Sequence, residues 1–481
     1  MSTATDSVRQ HYAVTLAVLA TSALAYAVSQ TMVAPALPEI QHAVGVSQNS
    51  VTWALTVYLL TASIATPVLG RLGDMFGKER VLLWVLVGFG VGSTVAALSH
   101  SLPLLVAGRA IQGAGGAIFP LAFGIIRDEF PKEKVAQGIG LISATFGIVG
   151  GAGLVLAGVI TDALNYEWIF WVAAIVIALA AVMTHLFVPE SPVRSESKRI
   201  DWSGAALLSV GLASLLVGVS QGNNWGWGSA RVLGLFALAA AVLGVWVRFE
   251  ARQPEPLVDM RMMRRRGVWT TNLVGLLVGY GMFSSFIMIP QFVQTSTSAG
   301  YGFGASVIEA GLFMLPATTV MLFAGPLSGW MGTRYGSRLP LILGAIISAS
   351  AFAWLALEHA REWEFLVGTA IMGLGIGFAF AAMANCVVEA VRPTETGVAT
   401  GMNTIMRTIG GSIGGQLAAA IVTGSLIAGT SVPREGGYTE AFVISAVVLV
   451  AAAAVSLAIP RSGRGAEEEA SAPAETMPAR A

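Results

Sequence analysis

The sequence predicts an all-α membrane protein of fourteen transmembrane helices, arranged as two six-helix pseudo-repeats with two inserted linker helices between them. Three observations carry this reading. Hydrophobic residues make up 55% of the chain and charged residues only 11%, where a soluble domain carries about 25% charge. Apolar runs of roughly 20 residues, the length that crosses a bilayer, recur along nearly the whole chain. The basic residues also gather on alternate connections, as the positive-inside rule requires.

The runs lie at 12–36, 50–70, 81–99, 102–126, 136–160, 167–188, 203–221, 231–249, 268–293, 305–328, 339–357, 364–387, 397–428 and 440–460. The first follows a polar segment, is too long for a signal h-region and is read as a span. The weakest, 231–249, is bounded by Arg231 and Arg248, whose stems can carry their charges to the two interfaces. With the N-terminus in the cytoplasm, only Arg231, Arg361 and Arg434 of the 27 basic residues fall on outer connections, and Arg109 and Arg407 fall within spans. Both termini are therefore expected inside. Trp168, Trp171, Trp225, Trp227 and Trp363 lie near outer span ends, where an amphipathic indole anchors at the headgroups. The tail after Ile459, with Glu467–Glu469 among Ala, Pro and Ser, reads as disordered and cytoplasmic.

The chain repeats itself at an offset of about 260 residues. The stretch from Pro67 through Gly70 and Gly73 to Gly77 aligns with Pro326 through Gly329 and Gly332 to Gly336, and Gly108–Gly113 aligns with Gly368–Gly373. Both pairs hold the same place within their halves. The expected organisation is an N-terminal bundle (1–190), a linker with two extra spans (191–267), a C-terminal bundle (268–460) and the tail (461–481). Parallel halves with a site at their interface are a recurring plan of secondary transporters.

Four motifs then carry a resemblance. The first is Gly70-Arg71-Leu72-Gly73-Asp74-Met75-Phe76-Gly77-Lys78-Glu79-Arg80, read as a cytoplasmic loop that glycine allows to turn tightly. The second is Gly108-Arg109-Ala110-Ile111-Gln112-Gly113 in span 4, where a buried arginine costs roughly 2.5–3.5 kcal/mol on insertion scales and calls for a wet cavity or a partner. The third is the glycine-rich stretch Gly147–Gly158 in span 5, and the fourth is Gln30-Thr31 through Pro38 at the end of span 1. With these the chain resembles the major facilitator superfamily, and within it the fourteen-span drug:proton antiporter family of multidrug and antibiotic exporters. The resemblance implies export of small amphipathic or hydrophobic compounds in exchange for protons, by alternating access, in a bacterial inner membrane. It implies that Asp74, Lys78 and Asp128 form a charge relay latching the halves in the outward-facing state, and that Arg109 serves proton coupling; as a membrane-buried cation, Arg109 is expected to face the central cavity.

Two departures from the family pattern stand out. Leu154 occupies the proline position of the span-5 motif, and Ser29 stands where the family usually has a first-span acid. Glu309, about one turn into span 10, is then a candidate proton carrier. Ser306-Val-Ile-Glu309 equally fits a capping box, in which serine and glutamate satisfy free N–H groups at a helix start.

Other classes lack support. There is no phosphate-binding G-x-x-x-x-G-K-[ST] loop for nucleotide-driven transport, no global charge excess for nucleic acid, and no catalytic cluster within the spans. Cys386 is the single cysteine, which leaves no disulfide framework or zinc pattern. No cofactor is expected, and the partners are membrane lipids, protons and a small molecule carried by a monomer. Uptake of a small nutrient and lipid handling are the alternatives, since fold alone does not set function. Candidate cavity residues are Gln30, Tyr58, Gln112, Asn272, Tyr280, Phe283, Gln291, Met314, Asn385, Met402, Asn403 and Arg407, a set richer in adaptable apolar surface than in fixed polar groups. The two linker spans are expected outside the twelve-span core, away from the cavity.

Overall fold

The computed structural model describes residues 12–460 apart from 196–198, 428, 429 and 431; the segment before residue 12 and the 461–481 tail lie outside the described residues. Its long helices are α1 (Tyr12–Val44), α2 (Trp53–Phe76), α3 (Lys78–Ala97), α4 (Leu102–Gln112 and Ile118–Glu129), α5 (Lys132–Ala163), α6 (Glu167–Phe187), α7 (Trp202–Trp225), α8 (Ala230–Glu250), α9 (Arg266–Gln294), α10 (Val307–Tyr335), α11 (Arg338–Leu357), α12 (Glu362–Ala390), α13 (Thr396–Gly424) and α14 (Glu435–Ser456). Thirteen are long and apolar enough to cross a membrane; the fourteenth, α5, has 32 residues. The described residues contain no strand, only an isolated bridge between Leu426 and Pro433.

Helices α1–α6 pack on one another, and so do α9–α14. Two seams join the groups, α5 against α10 and α2 against α13. The repeated glycines explain why. A Cβ on Gly70 of α2 would lie 2.6 Å from the Gly397 carbonyl oxygen of α13, and one on Gly329 of α10 would lie 2.5 Å from the Ala136 carbonyl oxygen of α5. Equivalent positions of the repeat thus form equivalent backbone-to-backbone crossings, as small residues allow between membrane helices. Gly113 packs α4 on α2 at Thr61, and its counterpart Gly373 packs α12 on α10 at Ala317.

The loop expected at Gly70–Arg80 is almost wholly helical. Helix α2 continues through Asp74 to Phe76, and α3 begins at Lys78. Gly70 and Gly73 permit close packing there, and the turn is made by Gly77 alone, at φ 109°. Its repeat counterpart Gly336 makes the same turn between α10 and α11 at φ 82°. Both angles lie where only glycine is at ease.

The linker helices divide their roles. Helix α8 packs chiefly on α7. Helix α7 packs on α2 and α13 and covers that seam, with Thr56 and Ser220 hydroxyls 3.2 Å apart and the Asn223 amide donating to Gln416 Oε1 at 2.9 Å. Neither linker helix contributes a residue to the small central spaces between the halves, but the polar end of α7 lines the mouth above them. Of that polar end, Ser220 and Asn223 find partners across the seam, where hydrocarbon would offer none, and Asn224 donates to Gln221 of the same helix.

Candidate functional site

On the face of the bundle carrying the α2–α3 turn, a charge cluster closes the α2–α13 seam, beside a surface cavity of about 830 Å³ walled by α5, α10, α11 and α12. Asp74 and Lys78 are fully buried. The Asp74 carboxylate accepts the backbone N–H groups of Gly397 and Val398, each at 3.1 Å. These are unpaired donors of the first turn of α13, where the helix dipole also favours an anion. Lys78 Nζ lies 3.7 Å from Asp74 and donates to Asp128 Oδ2, which also accepts the Ser191 hydroxyl. The three residues named in the sequence as a relay are therefore in contact, and Asp74 reaches the other half.

Arg127, read from the sequence only as one of the basic residues, makes a second bridge. Its guanidinium donates to the carbonyl oxygens of Val391 (2.7 Å) and Arg392 (3.2 Å) and to Thr396 Oγ1 (2.7 Å). Its place one residue before Asp128 was the available signal. On the other seam, Gly140 and Gly325 meet backbone to backbone, and the Asn385 amide donates to the Ala136 carbonyl at 3.2 Å. Arg71 and Gly73 belong to this face; Gly73 holds the Leu121 side chain against α2.

The opposite face opens on a vestibule of about 420 Å³, walled by α2, α7, α9 and α13. Its floor shares Leu59, Phe283 and Thr408 with a small central cavity that adds Tyr26, Gln30, Phe146 and Arg407. Beyond it, Phe119, Phe123, Phe146, Phe380, Asn403 and Arg407 line a second small space towards the closed face. Arg407 thus stands between them. Its guanidinium lies 4.9 Å from the ring centre of Phe146 on α5 and 4.6 Å from that of Phe380 on α12, and those rings meet edge to face at 5.5 Å. Each half contributes one wall of an aromatic clasp. A desolvated cation–π contact is worth about 2 kcal/mol, which offsets the burial cost of an arginine only in part.

Arg109 sits elsewhere. It is fully buried among α2, α3 and α4, with Nε donating to the Ala54 carbonyl at 3.2 Å and Nη1 to Gln112 Oε1 at 2.8 Å. Gln112 passes the contact on to Ser93 Oγ at 2.6 Å. The guanidinium lies 3.9 Å above the Tyr58 ring, and Tyr58 stacks on Tyr26, which lines the central cavity. Arg109 therefore touches the pathway through two rings and is absent from its lining; the expectation that it faces the cavity directly is corrected by this layer of tyrosine. Tyr26, Phe146 and Phe380 escaped the sequence reading because aromatic residues on apolar helices carry no signal of which face they take.

The other candidates scatter. Gln30, Phe283, Asn403 and Arg407 line the central spaces. Asn272 is buried and accepts from the Asn403 amide at 3.1 Å. Tyr280, Met314 and Met402 are core residues away from these spaces, and Gln291 is half-buried outside them. Glu309 is exposed at the start of α10, where the reciprocal capping box with Ser306 is complete. Of the span-5 motif, the side chains of Gly147–Ala152 and Leu154 lie outside the described residues. Ser29 is buried without a partner among the described residues.

Comparison with known proteins settles the family. The model of the Major Facilitator Superfamily matches residues 19–415. The chain belongs to that superfamily. It is a multi-pass membrane transporter and not an enzyme. It is 28% identical over 378 residues to Multidrug resistance protein 3 of Bacillus subtilis, covering 78% of this chain and 72% of that one. It is also 28% identical to the Tetracenomycin C resistance and export protein of Streptomyces glaucescens, over 78% and 70% of the two chains. The crystal structure of the human organic anion transporter MFSD10 shares the fold, with a TM-score of 0.65, 17% identity, and coverage of 92% of this chain and 99% of that one.

Proposed function

We propose that this transporter exports small amphipathic compounds by alternating access, in exchange for protons, across a bacterial inner membrane with both termini in the cytoplasm. The observation that supports it most is the pairing of Asp74 with the first turn of α13. That contact joins the halves on one face while the other face opens on the vestibule, which is the arrangement an outward-facing exporter requires. The basic connections support a cytoplasmic position for the closed face. Relatives that match most of this chain are named for multidrug resistance and for tetracenomycin C resistance and export, which supports the same cargo class. The aromatic side chains of the central spaces, Tyr26, Phe119, Phe123, Phe146, Phe283 and Phe380, suit such compounds better than a sugar or amino acid, which would need several fixed polar groups there. Lipids surround the outer helices, and the protein acts as a monomer.

Expression in a bacterium stripped of its own multidrug exporters tests this. Wild type should raise tolerance to a subset of a panel of hydrophobic antibiotics and lower accumulation of fluorescent compounds, while Asp74→Asn at equal expression should do neither. Equal tolerance from the mutant, or increased accumulation from wild type, would overturn it.

A further inference from the structure

Among the described residues Arg407 has no carboxylate to serve. It lies near the middle of the 29-residue α13 and is only 8% exposed. Among the described residues its side chain forms no ion pair and donates no hydrogen bond, in contrast to Arg109 with its two acceptors. None of the residues lining the vestibule or the two central spaces is acidic. Its contacts are the Phe146 and Phe380 rings, which offer their faces to the cation and leave its five N–H donors without oxygen acceptors. Buried charge is normally paired, and a guanidinium presents its donors in a fork that matches a carboxylate or sulfonate.

We propose that the cargo is an amphipathic organic anion, whose carboxylate or sulfonate is bound by Arg407 and whose aromatic body packs against Phe119, Phe123, Phe146, Phe283 and Phe380. This inference rests on the export reading and narrows it. Gln30, Asn403, Thr404 and Thr408 ring the same spaces and supply donors and acceptors for further polar atoms on the cargo. The aromatic clasp holds the guanidinium at the point where the halves meet, so an anion bound there touches both halves at once. A cationic compound meets an uncompensated positive charge at that point, and the lining offers it no carboxylate. The two central spaces measure only about 20 and 10 Å³ here, so the cargo enters from the vestibule, whose floor shares Leu59, Phe283 and Thr408 with the upper one, as the halves part.

The test uses three probes with one skeleton: 1-pyrenebutyrate, its neutral methyl ester, and 1-pyrenebutylammonium. Binding to the purified full-length protein is read by energy transfer from its tryptophans to pyrene, and transport by release from proteoliposomes. Wild type should bind the carboxylate at least tenfold more tightly than the ester, and the ammonium most weakly. Arg407→Gln should lose that preference while its ester affinity stays within about twofold, which shows that the variant is folded. Arg407→Lys should retain part of the preference, since it keeps the charge and loses the fork. If wild type shows no preference for the anion, or Arg407→Gln keeps it, the anion site is overturned while transport of ester and ammonium leaves the export reading standing. If wild type transports none of the three, both readings fall.

Discussion

Replacing Asp74 with Asn should unlatch the closed face. The carboxylate takes two N–H donors from α13 at 3.1 Å each and has Lys78 at 3.7 Å. Hydrogen bonds to a charged group contribute about 1.5–3 kcal/mol each, and a neutral one about 1 kcal/mol. Asn keeps one acceptor and turns its own NH₂ towards the second donor, so one bond weakens and the other is lost. The inter-half contact then weakens by about 3 kcal/mol, on the order of 100-fold in the equilibrium between closed and open. A conformer held at about 1% would rise to roughly half of the population. Lys78 keeps Asp128 as its partner, so the bundle should remain folded. The assay is a spin-label distance between Glu133→Cys on α5 and Thr333→Cys on α10, both exposed on that face, in a background of Cys386→Ala. Wild type should show one short distance, and Asp74→Asn a second, longer population. An unchanged distribution in a well-folded mutant would refute the energetic argument for the latch.

Four further outcomes follow. Arg109→Ala should cost about 1–3 kcal/mol of stability, because it leaves Gln112 Oε1 and the Ala54 carbonyl without their donor in the interior; thermal unfolding in detergent measures this, and an unchanged midpoint contradicts it. Gly325→Val should bias the protein towards an open closed-face seam, since its first added carbon lies 2.4 Å from the Gly140 carbonyl oxygen; the same spin-label pair reads it. Glu309→Gln should leave gradient-driven export intact and cost at most about 1 kcal/mol, because the exposed side chain serves the cap with Ser306; export lost at normal expression would restore the proton role. Asn223→Ala should loosen α7 from Gln416 and alter which compounds are exported, as read from a tolerance panel, with an unchanged panel contradicting its place in the vestibule wall.

The span pattern and the repeat were legible because each rests on a physical demand that acts locally. A bilayer fixes the length of an apolar run, and a close helix crossing demands glycine at Gly70 and again at Gly329. The contact of Asp74, Lys78 and Asp128 was legible through its motif, although the motif was assigned to a loop where the chain is helical to Phe76. What stayed hidden depends on which way a helix faces. Phe146 and Phe380 sit on helices apolar all round, so nothing in their sequence marks the faces that meet Arg407. The seat of α7 was missed for the related reason that Ser220 and Asn223 look like an ordinary helix end until their partners Thr56 and Gln416 are seen.

The central claim is exchange of a small molecule for protons through this pathway. Proteoliposomes loaded with a pyrene probe that the protein binds, and given an imposed pH gradient, test it most directly. The account predicts gradient-dependent movement of the probe that stops when an ionophore collapses the gradient and is lost in Asp74→Asn. Movement that proceeds at the same rate after the gradient is collapsed would contradict it.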